Sequence, residues 1–158
     1  MRRPCQRIAA AASALLALAA SSAHAGDDRA PRVPPNPVHQ QECGACHVAY
    51  PPGLLPAESW QRVMRDLAHH FGTDASLDPK LAQRLSAWLV ANAGTGRRAA
   101  SAPPQDRITR SAWFVHEHDE VPAATWKRAD VKSAVNCGAC HTQAERGDFD
   151  ERRVRIPR

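Results

Sequence analysis

The stretch Cys43-Gly44-Ala45-Cys46-His47 and its repeat Cys137-Gly138-Ala139-Cys140-His141 decide how this chain folds. Each has the pattern Cys-x-x-Cys-His, which is the attachment pattern of c-type haem. Two thiols at this spacing can form thioether bonds to the two vinyl groups of one porphyrin, and the adjoining histidine can then reach the iron. The sequence therefore predicts two covalent haem c groups. Their attachment residues would be Cys43, Cys46, Cys137 and Cys140, and one iron ligand of each would be His47 or His141.

Three other uses of these cysteines explain the sequence less well. A thioredoxin-like dithiol lies in a βαβ unit, and no strand-like alternation flanks either motif. A zinc site built from two Cys-x-x-Cys pairs usually has a shorter separation than the one between Cys46 and Cys137. Disulfide bonds would explain the cysteines but not the two identically placed histidines.

The first 25 residues have the features of a secretory signal peptide. Arg2, Arg3 and Arg7 precede the apolar run 8–20, and small residues stand at the predicted cleavage site after Ala25. The apolar run is too short to span a bilayer, and no later run reaches the roughly 20 residues that a membrane helix needs. We therefore expect an exported, periplasmic protein without a membrane span.

The charge balance gives little indication of a nucleic-acid partner. The whole chain has 21 basic and 16 acidic residues, a net charge of +5. Loss of three arginines with the signal peptide would lower the basic excess from five to two, and the remaining charges are interspersed. A nucleic-acid-binding domain usually concentrates its basic residues in a patch or stripe. We therefore expect no binding to nucleic acid.

Apolar periodicity predicts short helices separated by irregular chain. Apolar residues at spacings of three and four predict a helix over residues 57–71 and a second over residues 79–93, with Asp78 as its N-cap. Shorter helices are expected after a cap at Thr109 and near Val121. Nothing in the sequence indicates a substantial sheet. The predicted class is all-α, with short helices and irregular loops wrapped around two covalent haems.

Composition divides the chain beyond the signal peptide into two lobes. Residues 94–105 are small, polar and proline-containing, which predicts a linker. We expect residues 26–93 to form a lobe around the first haem and residues 106–158 to form a lobe around the second. Within the first lobe, the proline-rich residues 26–42 are predicted to be a loose arm.

The second ligand of the first iron must come from the remaining side chains. The candidates in the whole chain beyond the signal peptide are His39, His69, His70, His116, His118 and Met64. In the predicted helix 57–71, His70 lies at the edge of the apolar stripe, whereas His69 lies on the opposite, charged face. Met64 lies on the stripe itself, where packing is favoured over ligation. We therefore expect His70 to bind the first iron.

The second ligand of the second iron must precede His141, because neither histidine nor methionine follows it. His118 lies four residues after Phe114 and shares its helix face, whereas His116 lies on the other side. We therefore expect His118 to bind the second iron. His39, in the predicted arm, is expected to be a surface residue.

The ordered set of these residues resembles the small periplasmic dihaem cytochromes c. The resemblance covers nearly the whole chain beyond the arm, except the linker. It is carried by residues 42–47, 50, 52, 54–56, 59–60, 70–72, 75–77, 107–109, 113–114, 118, 136–141, 144, 147, 149 and 156–157. One position departs from it, because the family tends to have a basic residue where this chain has Glu117. A negative charge near the iron should favour its ferric state.

The resemblance implies a soluble periplasmic electron carrier in which two histidines bind each iron. It also implies electron exchange with a small oxygen-binding haem protein and with a membrane b-type cytochrome.

From the residues themselves, outer-sphere electron transfer is the first hypothesis, because no acid–base constellation surrounds an open cavity. We therefore expect no catalytic residue and no enzyme activity. The rival hypothesis is a dihaem peroxidase or a haem-based sensor with one open distal site, in which only Met64 could furnish a His/Met iron.

Overall fold

A computed structural model describes residues 33–158, and within that range the fold consists of short α-helices joined by 3-10 turns and irregular chain. The helices are α1 (Pro37–Gly44), α2 (Ala57–Arg65), α3 (Pro79–Ala91), α4 (Ala112–Glu117) and α5 (Ala123–Trp126). These described residues form no β-strand, only isolated bridges from His70 to Thr73 and from His141 to Val154. The predicted all-α class is therefore confirmed. The predicted signal peptide lies outside the described residues.

Helix α1 begins where the sequence predicted a loose arm. Asn36 caps it, because its side chain accepts hydrogen bonds from the backbone N–H groups of Val38 (3.0 Å) and His39 (3.2 Å). Pro37 supplies a first helical residue whose φ is already fixed. His39 is only 5% exposed and packs on the ring of Trp88, with 5.0 Å between the centroids. The prediction of a surface histidine in a loose arm was therefore wrong.

Helix α2 ends at Arg65, well before the predicted end at residue 71. The chain then makes a 3-10 turn and reverses direction at Phe71 and Gly72, whose φ angles are 51° and 100°. Glycine adopts such a φ without steric cost. The backbone N–H of Thr73 donates to the carbonyl of His70 (3.0 Å) and closes the turn. The prediction of one helix through residue 71 was wrong, because the apolar spacing continues through a turn that the periodicity does not register.

Helix α3 follows the prediction closely. The carboxylate of Asp78 accepts hydrogen bonds from the backbone N–H groups of Lys80 and Leu81, both at 3.0 Å. Pro79 occupies the first helical position, and the helix ends at Ala91 rather than at residue 93. The predicted N-cap is confirmed.

The core lies between α2 and α3. Leu55, Trp60 and Leu89 are buried there, with exposures of 2%, 6% and 1%. Burial of each such side chain contributes about 1.5–3 kcal/mol. Met64 and Trp88 pack against this cluster from its edge. Met64 is thus a packing residue of the core.

Residues 94–105 pack against the first half of the chain. The backbone N–H of Gly94 donates to the carbonyl of Leu55 (2.9 Å), and Ala99 is 6% exposed. A Cβ on Gly94 would lie 2.4 Å from the carbonyl oxygen of Gly53, so only glycine permits this approach. The segment predicted as a linker is therefore held at Gly94 and at Ala99, and the division into two lobes stays a prediction.

Helix α4 is capped by Ser111 rather than by Thr109. The Ser111 hydroxyl accepts a hydrogen bond from the backbone N–H of Phe114 (3.3 Å) and donates to the carbonyl of Ile108 (2.7 Å). Thr109 lies inside the preceding 3-10 turn, so its side chain cannot serve as the cap. The predicted cap was wrong by two residues, and α5 begins after Pro122 near the expected position.

Candidate haem sites

The two identical five-residue motifs have different local structures. Cys43 lies in the last turn of α1, and the chain leaves that helix through Ala45. The second motif begins with the 3-10 turn Cys137–Ala139. There the backbone N–H of His141 donates to the carbonyl of Cys137 (2.8 Å), which brings the histidine back over the first cysteine. The same five residues thus begin at the end of a helix in the first motif and in a 3-10 turn in the second.

The cysteines of both motifs are unpaired in the described part of the chain. Burial, followed by the negative charge of Glu42, raises the pKa of the Cys43 thiol to about 11. Burial also raises the pKa of the Cys137 and Cys140 thiols. A redox-active dithiol needs a lowered pKa, because the thiolate is the reactive form. This environment therefore disfavours the thioredoxin-like interpretation.

His47 of the first motif faces His70. The centroids of the two imidazole rings lie 6.1 Å apart, and their planes make an angle of 19°. An imidazole nitrogen binds a metal at about 2 Å and lies about 1 Å from its ring centroid, so two rings on opposite sides of one metal have centroids about 6 Å apart. The spacing of this pair therefore suits a single iron between them.

His141 of the second motif faces His118 at the same spacing. Their ring centroids also lie 6.1 Å apart, but the planes make an angle of 69°. The ring of His118 stacks on Phe114 at 4.0 Å and 18°, which fixes its plane from the side of α4. The predicted contact of His118 with Phe114 is thus present, although His118 lies just beyond the end of α4 rather than within it.

Backbone carbonyls determine which nitrogen of two of these rings is free. The Nδ1–H of His47 donates to the carbonyl of Val48 (2.7 Å), and the Nδ1–H of His118 donates to that of Phe114 (2.8 Å). A carbonyl oxygen only accepts, so Nδ1 carries a proton in both rings, and Nε2 is the nitrogen that is available to a metal. A hydrogen bond of this kind at the second nitrogen commonly orients a metal-binding histidine.

Burial keeps the other two rings neutral. It is the main cause that lowers the pKa of His70, followed by the nearby His47 and Arg107. Burial likewise lowers the pKa of His141, followed by the charge of His118. A neutral imidazole is the form that binds a metal. Both rings are therefore in the form required of an iron ligand at neutral pH.

His69 and His116, the neighbours of the two chosen distal histidines, have exposed side chains. The side chain of His69 is 81% exposed and pairs with Asp66 at 2.7 Å. The side chain of His116 is also 81% exposed and lies 4.0 Å from Asp119. The argument from helical phase that selected His70 was wrong, because His70 lies beyond the end of α2. The opposed ring pairs are nevertheless His47 with His70 and His141 with His118, and their ligation of iron stays a prediction.

Aromatic rings border all four of these histidines. Tyr50 stacks on His47 at 4.7 Å, and Phe71 lies 4.8 Å from His70. Trp126 lies 5.9 Å from His118, and Phe149 lies 5.4 Å from His141. Tyr50, Phe71 and Phe149 belong to the family resemblance, but sequence analysis paired none of these rings with a histidine. The position of Tyr50 three residues after His47 was the available signal.

The donor set fits two haem c groups. Each motif offers two unpaired thiols for thioether formation, and each motif histidine faces a second imidazole at the spacing that one iron requires. Cys43, Cys46, His47 and His70 would hold the first haem, and we call them the first haem site. Cys137, Cys140, His141 and His118 would hold the other, and we call them the second haem site. A fold of short helices with two such sites defines a c-type cytochrome.

The model of the dihaem cytochrome c family matches residues 39–149. The chain belongs to this family, and it carries two covalently bound haem c groups. The sequence resemblance and the predicted cofactors are thereby confirmed. No curated protein matches the chain.

Two solved structures are similar over most of the chain. A dihaem cytochrome c from Shewanella baltica OS155 is 40% identical, with a TM-score of 0.69, and the match covers 79% of this chain and 95% of that one. A dihaem cytochrome c from Rhodobacter sphaeroides is 44% identical, with a TM-score of 0.66, and the match covers 75% of this chain and 100% of that one.

Proposed function

We propose that this chain is a periplasmic electron carrier in which each haem iron is bound by two histidines. The observation that carries the proposal is the repeated 6.1 Å spacing between opposed imidazole rings, His47 with His70 and His141 with His118. The bound haems supply an Fe(III)/Fe(II) couple. Electrons then enter and leave by outer-sphere transfer.

In the proposed electron transfer, the chain's own residues prevent a substrate from binding to the iron. His47 with His70 and His141 with His118 would hold the two irons, and peroxide and dioxygen would then find no open coordination site. The carbonyls of Val48 and Phe114 hold the His47 and His118 rings in one tautomer, which limits ring movement when the iron changes charge. We therefore infer an electron-transfer protein rather than an enzyme.

The location and partners follow from other features of the chain. The predicted signal peptide over residues 1–25 supports export to the periplasm. Among the described residues, no helix is both long and apolar enough to cross a membrane. By analogy with the family we propose redox proteins as partners, namely a small oxygen-binding haem protein and a membrane b-type cytochrome.

Binding of small ligands tests the proposed function. The native reduced protein should bind carbon monoxide to less than about a tenth of its haem, and the oxidised protein should similarly resist cyanide, because displacement of an axial histidine is required first. The absorbance spectrum measures both reactions. Rapid, complete ligand binding at either haem, or peroxide turnover well above that of free haem, would contradict the proposal and favour the peroxidase or sensor alternative.

A further inference from the structure

Tyr50 lies between the two haem sites. Its ring stacks on His47, with 4.7 Å between the centroids and 19° between the planes. Its hydroxyl donates a hydrogen bond of 2.7 Å to the carbonyl of Val135, two residues before Cys137. The same hydroxyl acts electrostatically on the nearby side chain of Cys137. One side chain therefore stacks on His47 of the first haem site and is anchored to the segment that precedes Cys137 of the second.

The backbone around Tyr50 is packed against the second motif as well. A Cβ built on Gly138 would lie 3.9 Å from a methyl carbon of Val48, and one on Gly147 would lie 3.7 Å from the ring of Pro51. These are ordinary van der Waals contacts. The chain on either side of Tyr50 therefore lies about one methyl group away from the backbone at Gly138 and Gly147.

Formation of the thioethers decides which atom accepts the hydrogen bond from the Tyr50 hydroxyl. A thioether carries no hydrogen, so the Cys137 sulfur can only be a weak acceptor. The carbonyl of Val135 is the stronger acceptor and already lies at 2.7 Å. Haem attachment thus leaves the hydrogen bond from Tyr50 to Val135 in place.

We propose that Tyr50 is a positioning residue that couples the two haem sites, fixing the plane of the His47 ring and tying it to the segment that carries Cys137. The proposal rests on the proposed function, because it takes His47 as an iron ligand. The Nδ1–H bond to Val48 restrains one edge of the His47 ring, and the Tyr50 stack restrains its face. The hydroxyl anchor then keeps the Tyr50 ring from sliding.

A fixed geometry matters for electron exchange between the two sites. In such an exchange one electron would pass from the ferrous iron of one haem to the ferric iron of the other. No proton would be transferred, and no covalent bond would be made or broken. The rate falls steeply as the separation grows or fluctuates. Tyr50 would keep the separation and the His47 orientation constant through this step.

The test compares Tyr50→Phe and Tyr50→Leu in the haem-loaded protein. The Phe variant keeps the ring and removes the anchor, which lowers the population of the anchored orientation by about fivefold. We expect broader electron paramagnetic resonance lines from the first haem and slower electron redistribution between the haems after flash reduction. The Leu variant should enlarge both effects. The lines of the second haem should not change in either variant.

A matched control is Phe149→Leu, because Phe149 contacts His141 of the second haem site at 5.4 Å. It should alter the lines of the second haem alone. Unchanged first-haem lines and an unchanged redistribution rate in both Tyr50 variants would overturn the role of Tyr50. Equal broadening at both haems in Tyr50→Phe would overturn it too. A high-spin haem in the unsubstituted protein would instead contradict the proposed function itself.

Discussion

The first and second haem sites share five residues of sequence and one spacing, but they differ in how their imidazoles are held. In both, the opposed rings lie 6.1 Å apart, yet the planes are nearly parallel at 19° in the first and nearly perpendicular at 69° in the second. His47 has its Nδ1–H fixed by a backbone carbonyl. The Nδ1 of His141 is buried without a hydrogen-bond partner among the described residues.

This difference shows what the motif decides and what its surroundings decide. The spacing Cys-x-x-Cys-His is typical of haem c attachment, and it predicts one iron ligand in each site. Ring orientation comes from neighbouring residues outside the motif, Tyr50 beside His47 and Phe114 beside His118. The motif therefore accounts for haem attachment, and the surrounding residues account for the different ring angles of the two sites.

The two sites also differ in nearby charge. The guanidinium of Arg107 lies 4.4 Å from the ring centroid of Phe71 and acts electrostatically on His70. Glu117 directly precedes His118 and is exposed. A positive charge stabilises the ferrous state, and a negative charge stabilises the ferric state. We therefore expect the first haem to have the higher reduction potential.

Removal of one attachment motif should have the largest effect. The double variant Cys43→Ala/Cys46→Ala should retain one haem of two, and so should Cys137→Ala/Cys140→Ala, as measured by intact mass. Cofactor binding contributes directly to folding, so each loss should lower the thermal midpoint by roughly 10 °C or more.

Of these two losses, that of the first haem should cost more stability, because Tyr50 beside it packs against the main core. Equal losses of stability would contradict that ranking. Retention of both haems in either double variant would contradict the assignment of the cysteines.

Removal of one distal histidine should come next. His70→Ala and His118→Ala should each convert one haem of the two to high spin while both stay covalently attached, because the thioethers are untouched. The matched controls are His69→Ala and His116→Ala, whose side chains are exposed. Absorbance and magnetic circular dichroism would measure the change. A low-spin His118→Ala protein together with a high-spin His116→Ala protein would move the ligand to His116.

Sequence analysis could predict two covalent haems and helix α3 because both depend on local pattern. The cysteine spacing and the Asp78 cap each lie within a few residues. The turn at Phe71 and Gly72 and the stack of Tyr50 on His47 lie outside the regular helices, where apolar periodicity gives no indication of structure. His39 shows the same limit, since its burial against Trp88 needs α3 to be in place.

Charge reversals should shift one potential at a time by a smaller amount. Glu117→Lys should raise the potential of the second haem, and Arg107→Gln should lower that of the first, each by roughly 10–50 mV in a screened environment. The other haem serves as the internal control in each variant. Spectroelectrochemical titration measures both potentials. Equal shifts at both haems would show that the charges do not distinguish the sites.

The ion pair between Arg62 and Asp106 should have the smallest effect. Arg62 donates to both carboxylate oxygens of Asp106, at 2.8 and 2.7 Å, and so ties α2 to the chain that leads into α4. These hydrogen bonds hold the pKa of Asp106 below its ordinary value. Because the folded pKa is the lower one, the contribution to stability is full above about pH 4 and is lost as the pH falls through the folded value.

Asp106→Asn should therefore lower the thermal midpoint at pH 7 by about 3 °C, and the difference should close in acid. Melting curves of the haem-loaded proteins between pH 7 and pH 2 would measure it. The double variant Arg62→Gln/Asp106→Asn should lose little more than either single variant. A difference that does not depend on pH would contradict the ion pair as its cause.

Electron paramagnetic resonance of the oxidised, unsubstituted protein tests most directly whether each iron lies between two imidazoles. Parallel rings donate into one iron d orbital and separate it from its neighbour, whereas perpendicular rings act on both orbitals equally. We therefore predict two low-spin ferric signals of equal intensity, a rhombic one from the first haem and one with a larger maximum g value from the second. A high-spin ferric signal from either haem of the native protein would contradict the two-histidine ligation on which the proposed function depends.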